Sequence, residues 1–67
     1  MTGTVIAFDG PRGVGEVTAA DGAVFPFHCT QIADGTRTIE VGTAVDFAKV
    51  PGLLGHWEAG DIARREP

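Results

Sequence analysis

VFPFHCT, residues 24–30, gathers one of the two histidines, the only cysteine and two of the four phenylalanines of a 67-residue chain. The stretch reads either as a Cys–His pair with chemistry to do or as a piece of sheet. At period two, Phe25 and Phe27 share one face, while Val24, Pro26 and His28 share the other. That alternation makes it a strand with two rings facing a core and one histidine on view. His28 and Cys29, as neighbours on a strand, point to opposite sides.

The same rhythm extends outward. Ten glycines and four prolines punctuate runs of four to seven residues rich in Val, Ile, Phe and Thr, which is an all-β pattern. Strands are expected at Gly3 to Phe8, Gly15 to Thr18, Ala23 to His28, Ala44 to Val50 and Glu58 to Ile62. A single helical or 3₁₀ turn is expected near Thr30 to Ile32. Asp9-Gly10-Pro11 and Asp21-Gly22 are the expected tight turns, each with its glycine at positive φ. A longer connection, Thr30 to Gly42, separates a three-strand meander from a final pair. Five short strands split in this way are too few for a sandwich and predict a small closed or nearly closed barrel. Val5, Val17, Phe25, Phe27, Ile32, Ile39, Val45, Phe47 and Ile62 are expected to point inward, each contributing about 1.5–3 kcal/mol when fully buried. Pro26 offers no amide to a ladder, so it is expected at a bulge or a gap in the bonding.

A chain of this length holds one core, expected over 1–62, with a short charged C-terminal tail over 63–67 that frays. One cysteine rules out an internal disulfide, and no segment has the roughly 18 apolar residues of a membrane span. These features, with no basic and apolar leader at MTGTVIAFDG, give the expectation of a cytoplasmic protein without membrane contact. Nine acids against five bases leave a net charge of −4, the wrong sign for unspecific attraction to phosphates, though a local basic patch can outweigh it.

Site chemistry is sparse. There is no serine and no tyrosine, a shallow barrel offers no water-excluding cavity, and acidic surroundings do not activate a thiol. No catalytic residue and no cofactor are therefore expected. His28, Cys29 and His56 lack the clustered spacing that zinc requires, so no metal is expected either. GPRGVG, residues 10–15, has neither the Lys-Ser/Thr nor the following helix of a phosphate loop; its glycines fit a tight turn and close backbone approach.

The distributed motifs resemble those of the cold-shock domain, a five-stranded antiparallel oligonucleotide-binding barrel, over nearly the whole chain. GTVIAF at 3–8 is similar to the family's first strand. RGVGEV at 12–17 falls on the first ribonucleoprotein motif and keeps its base and both glycines. FPFHCTQI at 25–32 falls on the second, keeping His28 and Ile32. DGTRTIEVGTAVDF at 34–47 is similar to the family's connection and fourth strand, and Gly52, Gly55 and AGDI at 59–62 to its last hairpin. The resemblance implies a sheet face that binds single-stranded RNA or DNA by stacking rings on bases, with basic side chains on the backbone. Here the stacking positions hold Ala7, Val14, Glu16, Pro26, Cys29 and Thr36, and Ile6 replaces a lysine.

Two functional readings follow. In the first, the chain binds single-stranded nucleic acid weakly or in a specialised way, inheriting Phe8, Arg12, His28 and Arg37 and adding Trp57. In the second, Leu53, Leu54 and Trp57, or the altered sheet face, contact a protein partner or a second copy in a homodimer, tryptophan being an enriched interface anchor. A plainer role for Trp57 is to cap the barrel end against Leu54.

Overall fold

A computed structural model describes residues 1–33, 35–52 and 55–65. Among these residues five strands, β1 (Thr2–Asp9), β2 (Val14–Ala19), β3 (Val24–His28), β4 (Ala44–Pro51) and β5 (Trp57–Arg64), form one antiparallel sheet in the order β3-β2-β1-β4-β5. One 3₁₀ turn, Cys29–Gln31, follows β3. The sheet curls until β3 packs on β5. It is an oligonucleotide-binding-type barrel that no ladder closes: the seam is spanned by a parallel bridge, Ile32 to Ile62, with the Ala33 amide donating to the Ile62 carbonyl at 2.7 Å. No helix among the described residues is long and apolar enough to cross a membrane.

All nine residues expected inside are buried, and Ala19 and Ala59 join them. Across β1, β2 and β3 the register stacks these side chains in rows. Val5, Val17 and Phe25 form one row and Phe8, Gly15 and Phe27 the next. Gly15 is required there because a Cβ would lie 2.6 Å from the Phe27 ring and from the Ala7 carbonyl. With that side chain absent, Phe8 and Phe27 meet across the middle strand, their rings parallel within 9° at 6.1 Å.

Three departures from simple alternation have local causes. The β1–β2 register shifts between Val5 and Ala7, so Ile6 is an extra residue that bulges outward. That slip turns Phe8, three residues after inward Val5, back toward the core. In the first turn the positive φ falls on Gly13 (φ 68) rather than Gly10; the Gly13 amide closes the turn on Asp9 O at 2.8 Å, and the Asp9 carboxylate accepts from the Arg12 amide at 3.4 Å. The Asp21-Gly22 turn has the expected form, with Gly22 at φ 91. On β5 a second register shift places Asp61 at φ 51, its amide held by the Gln31 side chain at 3.3 Å.

The C-terminal boundary also differs from expectation. β5 runs past Ile62 to Arg64, and the Arg65 amide donates to Ala44 O at 2.9 Å. Arg64 reaches back to the long connection and donates to Thr38 O at 2.6 Å. Alternation alone stops at the last apolar residue, whereas the strand is extended by a backbone bond at Arg65 and by the reach of the Arg64 guanidinium, neither of which alternation encodes.

Candidate functional site

The outward side of β1–β2–β3 carries three cross-strand rows: Thr4, Thr18 and Val24; Ala7, Glu16 and Pro26; Asp9, Val14 and His28. Over the second and third rows lies a shallow depression of about 390 Å³, lined by Ala7, Phe8, Asp9, Arg12, Val14, Gly15, Glu16 and Pro26. Arg12 enters it from the tight β1–β2 turn. Phe8 lines it while staying half-buried against Phe27. Glu16 stands in the middle row between Ala7 and Pro26, so the floor is small and apolar with a carboxylate at its centre and a guanidinium at its rim.

Pro26 falls where the ladder can do without an amide. The Cys29 amide bonds Gly13 O and the Ala19 amide bonds Ala23 O, both at 2.7 Å. With the register of β2 on β3, these bonds make the odd-numbered positions the hydrogen-bonded pairs. Pro26 opposite Glu16 is therefore in a non-bonded pair, and its missing N–H would have faced the free edge of the sheet. A proline at that place keeps another strand from adding to the edge.

His28 ends β3 at the depression's outer row and caps the 3₁₀ turn. Its Nδ1 accepts from the Thr30 amide at 3.5 Å and lies 3.2 Å from the Thr30 hydroxyl. Nε2 is the nitrogen left for a ligand. Cys29 is half-buried against the core with Sγ 3.9 Å from His28 Nδ1. This Cys–His neighbourhood is thus a turn cap beside a packed thiol. Among the described residues no three His, Cys, Asp or Glu side chains converge as a metal site.

The other expected site residues lie apart from this face. Arg37 is exposed in the long connection at φ 60. Trp57 opens β5 opposite Pro51. It is 49% exposed, with the Lys49 ammonium 4.7 Å from its ring centroid. Leu53 and Leu54, and with them the expected cap of Trp57 on Leu54, lie outside the described residues. Trp57 and Ala59, two apart, point to the same side of the strand. Ala59 is fully buried, so Trp57 and Lys49 continue the core-facing side of the β4–β5 hairpin beyond the rim. The parallel bridge joins Ile62 on β5 to Ile32, which lies beyond the 3₁₀ turn that follows His28.

Lys49 is the residue that sequence reasoning missed. Its proximity to Trp57 depends on the β4–β5 register, which pairs Lys49 with Ala59 and Pro51 with Trp57. The eight-residue separation in sequence is silent without knowledge of which residues form the hairpin loop.

Comparison with known proteins gives no match to the chain, either among protein-family models or among curated proteins.

Proposed function

We propose that the chain is a non-enzymatic binding module that takes single-stranded nucleic acid weakly on the outward face of β1–β2–β3. The observation that supports this reading is the placement of the candidate residues on the barrel. In oligonucleotide-binding barrels the ligand lies over strands 2 and 3 between the loop joining strands 1 and 2 and the loop joining strands 4 and 5. Here Val14, Glu16, Pro26 and His28 lie on the β2–β3 face, Arg12 in the first loop, and Trp57 at the end of the second. Weakness follows from the same residues. Stacking is typically worth about 1–3 kcal/mol per base, and Ala7, Val14 and Pro26 offer no aromatic rings, while Glu16 repels phosphate. Few cations on the face also mean few counterions released, so affinity should fall gently with salt.

The test is a low-salt titration of labelled pyrimidine-rich DNA and RNA strands, followed by anisotropy. Saturable binding that declines with a shallow salt slope supports the reading. Absence of binding by the natural chain and by Glu16→Phe, which restores a ring and removes the carboxylate, would end it.

A second reading is favoured by exposed apolar side chains on β1, β3 and β5, namely Ile6, Val24 and Trp57: the scaffold contacts a protein or a second copy of itself. Concentration-dependent dimerisation abolished by Trp57→Ala, together with failure of the titration, would support that reading instead.

A further inference from the structure

We infer that Lys49 and Trp57 together form a one-nucleotide subsite, a base stacking on the open side of the indole while Lys49 holds the adjoining phosphate; this rests on the nucleic-acid reading above. The ammonium lies 4.7 Å from the ring centroid, within the range of an attractive cation–π contact. It therefore covers one side of the ring and orients it, yet half of Trp57 remains exposed. The ring and the cation continue the hairpin's inward side, Lys49 paired with buried Ala59 and Trp57 two residues before it. Nucleic-acid channels combine these two elements, an aromatic surface for a base and a cation beside it for the backbone.

The pair is carried by the β4–β5 hairpin, whereas Glu16 is on β2 opposite Ala7 and Pro26. Lys49 is exposed on β4, and the residues opposite the pair, Ala59 and Pro51, are uncharged. In a chain of net charge −4, a cation fixed against a ring is a place where a phosphate can be held with a base beside it. Neither partner is costly to change, since both are exposed, so variants at these positions can be read as binding variants once a thermal melt shows the fold intact.

Trp57 is the only tryptophan and there is no tyrosine, so intrinsic fluorescence reports this ring alone. Titration of the full chain at low salt with oligo(dT) and with oligo(U) is expected to quench it. Trp57→Ala should weaken binding about 5- to 150-fold, the range of one stacked base. Lys49→Gln should weaken binding and lower the slope of log K against log salt by about 0.7, one phosphate contact on a single strand, whereas Lys49→Arg should restore both. Arg65→Gln, which removes the same charge at the other end of β5, should leave the slope unchanged. Binding by the natural chain without quenching, or equal slope changes in Lys49→Gln and Arg65→Gln, would overturn the subsite and leave the general reading standing. No binding of either oligonucleotide at low salt would overturn both.

Discussion

Replacing Gly15 by alanine should cost this barrel much of its stability, although alanine is the better strand residue. Gly15 is buried mid-sheet, and its φ lies outside the positive range, so the backbone poses no obstacle to a side chain. The obstacle is space. An added Cβ would sit 2.6 Å from Ala7 O and 2.6 Å from Phe27 Cζ. The first neighbour is backbone locked in the β1–β2 ladder, and the second is a buried ring stacked on Phe8. Neither is the free end of a flexible chain. Overpacking of this kind typically costs about 1–3 kcal/mol, against which the reduced entropy of the unfolded chain returns about 0.4–1 kcal/mol. A net loss of about 1–2 kcal/mol lowers the melting temperature of a domain this small by roughly 5–15 °C. Gly10→Ala is the matched control. It meets only the Phe8 ring edge at 3.8 Å and has no positive φ, so it should be neutral or slightly stabilising. Thermal melts by circular dichroism decide the matter; a Gly15→Ala melt equal to or above the natural one would refute the packing account.

Three further outcomes are expected. Glu16→Phe should tighten oligonucleotide binding about 5- to 150-fold, one added stacking surface, and an anisotropy titration showing no change would remove Glu16 from the proposed binding face. Chelator should leave the melting temperature unchanged, because among the described residues no three His, Cys, Asp or Glu side chains converge; a drop reversed by zinc would contradict this. Pro26→Val should add an amide donor to the free edge of β3 and promote self-association visible by sedimentation velocity, whereas an unchanged monomer at high concentration would deny Pro26 its edge-blocking role.

The core was legible because burial imposes period two on short strands and glycines mark their ends. Phe25 and Phe27 face inward for no reason beyond that spacing. What alternation cannot express is a change of phase within a strand. Val5 and Phe8 are both core-side, which requires an inserted residue, and nothing in VIAF distinguishes Ile6 as the one that bulges. The positive φ at Gly13 is similar. Gly10 and Gly13 both sit in the turn, and the choice is made by the Gly13 amide bonding Asp9 O and by Cys29 Sγ, which would lie 2.9 Å from a Cβ at that place. The candidate site was legible in part. Arg12 and His28 follow from motif positions, but the Lys49–Trp57 contact arises from register across a hairpin.

The buried core and the proposed binding face lie on opposite sides of the same strands, so the surface can change without disturbing the packing beneath it. Val17 and Glu16 are adjacent on β2, yet one is fully buried and the other exposed in a non-bonded pair with Pro26. A change at Glu16 alters the charge and shape seen by a ligand while leaving the Val5, Val17 and Phe25 row untouched. The exception is the Phe8, Gly15 and Phe27 row, where Phe8 both packs on the core and lines the outer depression. Substitutions at Phe8 should therefore move the melting temperature and oligonucleotide affinity together, whereas those at Glu16 should move affinity alone. The coupling at the first position and its absence at the second distinguish a binding face built on this barrel from one that merely happens to be exposed.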